Sequence, residues 1–465
     1  MKFKICILIL MVLSSSFLYS CDNINGDNNK DIELTSYVET LETEFAYGCT
    51  TDRFNDYINN WSTENNVIYE KDNYGNIIFD MPATLGYEEV DDTIICCSYN
   101  PYDFNSDIHL ISLCQYLILN NENHGPLKII LLNNEYDKNQ GALNLSTKYF
   151  NENSNVIVLD SSYKTHASIN TGNQTELELT IPTEKSYDLY NTAIKISISD
   201  IKAASFDEQV NRHPNPIKIL GELMAYFKMK SIAYKLADIN FNTDGGLYPI
   251  GCDITLLIND YSKIKFTDYL DYKISSFNKS YSDDFENANY SYKEVDLPEK
   301  AYSDKSTENI VSLLYTINNG TSMDTSDSVY GISTITGFNK TEDKFTLNVT
   351  SNTRNNEALS NLMEQIETVS TFVNAELVEK NFIKGFTGNP DSELYADMNM
   401  SNEASNNEEL RTYDTVRFTA NTYLKNKNKN LNQLHIFVKN DDSDYIIKCI
   451  NNYLFNSNIE NQSQL

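Results

Sequence analysis

Basic residues are scarce in this chain. Lysine and arginine total 36 against 66 aspartates and glutamates, a formal charge of −30. Nucleic-acid binding needs clustered Lys and Arg to meet phosphate, so no nucleic-acid partner is expected. The same imbalance disfavours adhesion of the protein surface to anionic lipid, and it speaks for solubility rather than for any fold. Histidine is scarce too, with His109, His124, His166, His213 and His435. The first four do not cluster in sequence with Asp or Glu, so no metal centre is written locally around them. No CxxC pair occurs among the 8 cysteines, which excludes a cysteine zinc pattern. Beyond the N-terminus no apolar run approaches the roughly 20 residues of a membrane-spanning helix. Trp61 is the single tryptophan in a chain rich in Asn and Lys. That composition reads as codon bias, so the many Asn-x-Ser/Thr triplets carry no glycosylation signal.

The N-terminus carries the clearest local signal. Lys2 and Lys4 precede an apolar run over 5–13, followed by Ser14-Ser15-Ser16-Phe17-Leu18-Tyr19-Ser20-Cys21. A basic start, a short apolar core and small residues describe a secretory signal over residues 1–20. Leu18-Tyr19-Ser20-Cys21 resembles a bacterial lipobox, which implies acylation of Cys21 and a lipid anchor in the cell envelope. An ordinary signal with an incidental cysteine is the alternative. Residues 21–30 continue as a polar stretch that suits a flexible tether. Without Lys2 and Lys4 the mature chain holds 34 basic and 66 acidic residues, or −32. Cys6 leaves with the signal. Cys49, Cys96, Cys97, Cys114, Cys252 and Cys449 are expected as free buried thiols, with room for one or two disulfides outside the cytoplasm. Cys96 and Cys97 adjoin in an apparent strand, so their side chains should face opposite sides.

Length predicts more than one domain. Residues 52–66 have helical apolar spacing at Phe54, Tyr57, Ile58 and Trp61. Residues 67–70 and 76–79 read as strands around the turn Lys71-Asp72-Asn73-Tyr74-Gly75. Residues 93–97, 127–132 and 156–159 read as apolar strands, with a buried helix over 110–119. Strands alternating with helices predict an α/β fold with a mostly parallel sheet covered on both faces. Near 186 the texture changes to α+β: a strand over 193–199, a helix over 216–234, strands near 248–258 and 328–350, and helices near 306–316 and 356–373. Residues 387–411 are polar and offer a crossing between lobes. A helix near 414–424, a strand over 433–438 and a helix over 445–455 close the chain. The expected division is 31–185 and 391–465 for one domain, with 186–390 inserted between them.

Two stretches carry a resemblance: DNYGNIIFDMPATLGYE at 72–88 and ENHGPLKIILLNNE at 122–135, supported by LLYTINNG at 313–320. Together the chain resembles the aminoacyl-histidine dipeptidases, a branch of the two-zinc, carboxypeptidase-like metallopeptidases, over most of 36–455. The resemblance implies an α/β catalytic domain interrupted by an α+β lid, a pair of zinc ions bridged by a carboxylate, and a glutamate as general base. It also brings dimers by analogy.

Carried over position by position, the family's site is largely replaced here. Ser98 stands where the resemblance puts a metal histidine, in Cys97-Ser98-Tyr99-Asn100, and Asn100 replaces the aspartate that orients it. Asn105 stands at the bridging aspartate, and an amide cannot supply two anionic oxygens. In Glu135-Tyr136 the base is kept and the adjacent ligand is lost. Asp160 matches a metal carboxylate. A last metal histidine has no counterpart between Val438 and the final helix. Ala203-Ala204-Ser205-Phe206 replaces the lid's Gly-Gly-His-Ser stretch. His435 matches a histidine of the last strand and, alone beside apolar residues, reads as structural, as does His124.

The leading expectation is a lipid-anchored envelope protein on a metallo-dipeptidase-like scaffold. It would be catalytically degenerate, hold no cofactor, and bind a peptide, a small ligand or a protein. The substrate-binding residues are not identified. Glu135 is its candidate catalytic residue and Asp160 its candidate metal ligand, each as a vestige. The alternative is an active dipeptidase using shifted ligands, Asp103, Asp107, Glu135 and Asp160, with zinc or a harder divalent cation.

Overall fold

The computed structural model describes residues 29–456, apart from 121–122, 136–138, 152, 188, 203–212, 244–247, 284, 324–327, 426 and 429–430. The signal, Cys21 and residues 22–28 of the expected tether lie outside the described residues, as do Tyr136 and 203–206; Asn29 and Lys30, expected in the tether, begin the helix Asn29–Glu44.

Seven strands form the first sheet. Its order is Glu70–Lys71, Ile77–Met81, Leu127–Asn133, Thr93–Tyr99, Asn155–Ser161, Asn432–Val438 and His166–Ser168. The four strands from Leu127–Asn133 to Asn432–Val438 run parallel, and the flanking strands run antiparallel. Parallel strands must be covered on both faces, and these are. One face holds Ile95, Cys97, Ile129, Leu131, Ile157 and Leu159 against helices that include Thr51–Asn65, Ile108–Asn120 and Ser443–Asn456. The other holds Ile94, Cys96, Ile130 and Val158 under the short helices Gln140–Asn144 and Ala420–Lys425. Cys96 and Cys97 therefore face opposite sides, as the pleat requires. All six described cysteines are free thiols, and Cys49 alone is not buried.

The second lobe is antiparallel. A four-stranded sheet runs Lys235–Thr243, Pro249–Ile258, Thr192–Ser199, Asn289–Val295. A five-stranded sheet runs Gly320–Met323, Val329–Lys340, Lys344–Thr353, Asn173–Pro182, Glu376–Ile383. Helices Pro216–Met229, Lys263–Tyr281, Asp304–Thr316 and Asn356–Val373 join both sheets in one hydrophobic core. No helix of the described residues is long and apolar enough to cross a membrane.

Several local expectations shift. The passage between lobes lies near 168–173, ahead of 186, because Asn173–Pro182 already pairs along its length with Lys344–Thr353. The return passage pairs with it: Thr171 donates to Phe386 O, Gly172 to Arg417 O, and Gly388 to Ile169 O. Here the chains touch so closely that a Cβ on Gly172 would stand 2.2 Å from Val416 O. Residues 387–411 are not all loop, because Ser392 caps a helix, Glu393–Asn406, by accepting from Tyr395 N–H. The helix expected over 216–234 ends at Met229, and Ser231 turns the chain at φ 55° into the next strand. The strand expected over 67–70 shrinks to Glu70–Lys71, leaving Ile68 88% exposed. The helix expected from 414 starts at Ala420.

Candidate functional site

The carboxyl ends of parallel strands are where open α/β sheets place ligands, and Ser98, Glu135 and Asp160 fall there. DNYGN, so specific in wording, serves the backbone at that edge. Asp72 Oδ1 accepts the N–H groups of Tyr74 and Asn76, closing a turn in which Gly75 takes φ +86°. Asn76 is fully buried. Its amide donates to Asp72 Oδ2 and Gly141 O, and its Oδ1 accepts from Asn133 N–H. The motif thus fastens the turn to the end of Leu127–Asn133. Glu135 follows two residues later, half-buried, its backbone N–H donating to Asn133 Oδ1.

Asp160 lies two strands away, near the end of Asn155–Ser161, and is 8% exposed. His435 on the neighbouring parallel strand is fully buried, with Nε2 2.9 Å from Asp160 Oδ2 and Nδ1 3.1 Å from Thr419 Oγ1. Ser98, itself buried, donates its hydroxyl to Asp160. The Arg417 guanidinium donates from Nη1 to Ser161 O at 2.9 Å and sits 4.9 Å above the Phe437 ring. Burial pushes the Asp160 carboxyl up, but His435, the Arg417 charge and the Ser98 hydroxyl outweigh it and hold the group below the usual carboxylate range. Burial pushes His435 below the ordinary histidine value against the pull of Asp160. A neutral imidazole beside an ionised carboxylate satisfies both directions, and the half-buried Arg417 supplies the balancing charge.

The other candidates are committed to the fold or stand apart. Asp107 is buried and accepts from Asn100 N–H at 2.7 Å and from the Ser161 hydroxyl at 3.3 Å, tying two strand ends together. Asn105 is exposed, and the Asp103 side chain lies outside the described residues. His124 accepts no role at this edge. Its Nδ1 lies 2.7 Å from Gly125 O and its N–H donates to Thr84 Oγ1. Sequence reasoning placed Asp160 and His435 separately and missed that they touch. It missed Arg417 altogether, which stands 257 residues from Asp160 in the segment before helix Ala420–Lys425; His435 is brought to Asp160 by a strand 275 residues on that lies in parallel register (Leu434↔Ile157, Phe437↔Asp160).

Zinc would need His nitrogens and carboxylate oxygens converging on one point. Among the described residues no group of three or more His, Cys, Asp or Glu is placed to hold a metal ion. Asp160 and His435 are turned toward each other, Ser98 and Asn105 are neutral, and Asp107 is engaged by backbone. The residues present do not fit a two-zinc centre.

The architecture is a mostly parallel α/β domain with a large antiparallel insertion. No family model and no curated protein matches the chain. Solved structures do. Aminoacylhistidine dipeptidase from Vibrio alginolyticus is similar over 95% of this chain and 99% of its own, with a TM-score of 0.56 at 14% identity. A tripeptidase from Staphylococcus aureus covers 92% of this chain and 99% of its own at 7% identity, TM-score 0.48. An aminopeptidase from Bacillus cereus covers 93% and 99% at 9% identity, TM-score 0.47. The chain has the fold of the aminoacylhistidine dipeptidase and resembles that family with most of its metal ligands substituted; the likeness is one of fold.

Proposed function

We propose that this protein is a lipid-anchored envelope protein whose metallo-dipeptidase-like scaffold has lost hydrolysis and serves binding of a peptide or small ligand. The observation that carries this reading is the company kept by Asp160. A metal carboxylate in a working site faces its cation. This one is met instead by His435 Nε2 at 2.9 Å, by the Ser98 hydroxyl, and by the charge of Arg417. The carboxylate thus faces polar groups of its own chain and lies in the field of the Arg417 guanidinium. Glu135, without a metal-activated water, has no proton to take in that chemistry. The signal over 1–20 and the lipobox-like Leu18-Tyr19-Ser20-Cys21 support the address.

The test is metal content and dipeptide hydrolysis measured together on residues 22–465, after loading with zinc, manganese or cobalt and dialysis. The expected result is less than one equivalent of metal per chain and no turnover. Near two equivalents with turnover would overturn the reading and revive the alternative of shifted carboxylate ligands. Acylation of Cys21 is checked separately, by the mass of the N-terminal peptide from membranes.

A further inference from the structure

The antiparallel lobe gathers several lysines around a pair of tyrosines, in a chain that is acidic as a whole. The end of helix Pro216–Met229 meets the beginning of helix Lys263–Tyr281. There Tyr226 and Tyr269 pack edge to face with centroids 5.7 Å apart. Three lysines ring them. Lys230 Nζ lies 5.3 Å from the Tyr226 centroid and 5.7 Å from that of Tyr269. Lys273 Nζ lies 4.3 Å from Tyr226, and Lys265 Nζ lies 6.0 Å from Tyr269. Residues 265, 269 and 273 are spaced i, i+4, i+8, so they share one helix face. Among the described residues none of these lysines has a carboxylate within ion-pair distance, in a chain with 30 more acids than bases. Lys265 instead donates to the carbonyl of Lys230. Asp268 and Asp271, both exposed on the same helix, are the nearest opposing charges in sequence, Asp271 two residues from Lys273.

Apolar side chains stand among these cations and point into water. Met229 is 65% exposed, Ile264 76% and Tyr272 60%. Each is adjacent in sequence to one of the three lysines. We propose that this face of the lid docks on the surface of an anionic lipid bilayer. Lysine ammonium groups reach phosphate headgroups, tyrosines suit the interface, and Met229 and Ile264 enter the acyl boundary. The aliphatic pair decides between occupants of like charge. A phosphate polymer or nucleic acid accepts the lysines but gives methionine and isoleucine nothing to enter. The net charge of the whole chain argues against membrane adhesion on average. Screening over about 8 Å at physiological salt removes most of that distant charge and leaves the three lysines set against Asp268 and Asp271. The docking stands whether or not Cys21 carries lipid, and it would present the lid rather than the tether to the membrane.

Residues 22–465, which include every described element, are mixed with vesicles of neutral phosphatidylcholine and with vesicles containing phosphatidylglycerol, and sedimented. Binding to the anionic vesicles alone is expected. Each lysine near an anionic surface contributes about a five-fold change in partition, so Lys230→Gln/Lys265→Gln/Lys273→Gln should lose on the order of 100-fold. Met229→Ser/Ile264→Ser should weaken binding while leaving all charges in place. These side chains are exposed, so melting temperatures should stay unchanged. Failure to bind either vesicle overturns the proposal. So does equal binding to both, or to inorganic polyphosphate with no response to Met229→Ser/Ile264→Ser, which would mark a polyanion site instead.

Discussion

Replacing Asp160 by asparagine separates a carboxylate that serves the fold from one that serves a metal. The amide keeps the shape and an acceptor for Ser98 and loses the charge. A hydrogen bond to an ionised group contributes about 1.5–3 kcal/mol and a neutral one about 0.5–1.5, so that exchange costs about 1 kcal/mol. The attraction to Arg417 is discounted because that side chain is half-buried, and contributes about 1 kcal/mol more. The variant should therefore be less stable by about 2 kcal/mol. Trp61 reports on the correct lobe: it is 7% exposed and its ring meets Phe79 edge-on at 5.9 Å. With a urea slope of about 2–3 kcal/mol per molar, the midpoint of the Trp61 emission change should fall by roughly 0.7–1 M. The difference should be the same in excess zinc and in a chelator. A ligand that binds only the folded state stabilises it by mass action. If zinc raises the wild-type midpoint and Asp160→Asn abolishes that rise, Asp160 is a metal ligand and the reasoning fails.

Further outcomes follow from the same contacts. Gly172→Ala sets a methyl against the backbone of Val416 where the lobes cross, and should cost on the order of 2–3 kcal/mol in the same urea assay. His435 is held below its ordinary value of 6.5 by burial, so its stabilisation is complete above that pH and is lost as pH falls toward the folded value. The urea midpoint should accordingly drop as pH falls below about 6.5, and His435→Gln should flatten that slope; an unchanged slope would show that another group carries it. Burial pushes the Cys49 thiol up to about 12, and the other five thiols are buried. Iodoacetamide at pH 8 should label none of the six in the native protein and all six in guanidinium, counted by mass; native labelling of any buried thiol would contradict the packing.

The division between what the sequence determined and what the tertiary structure decided follows from range. Apolar runs of four to six residues between polar turns specified the parallel strands, because a strand buried on both faces must be apolar at consecutive positions. The same logic placed Cys96 and Cys97 on opposite faces and separated the α/β lobe from the α+β insertion. Ser98 and Asn105 were read as replacements of a histidine and an aspartate through the family resemblance alone, since nothing in their local spacing marks a metal site. The crossing between lobes was misplaced because strand Asn173–Pro182 looks the same in either sheet. Only pairing with Lys344–Thr353, more than 160 residues on, assigns it. Asp160, His435 and Arg417 each look unremarkable in sequence. Asp160 and His435 meet only when strand Asn432–Val438 lies parallel to Asn155–Ser161, and that register sets a buried imidazole against a buried carboxylate.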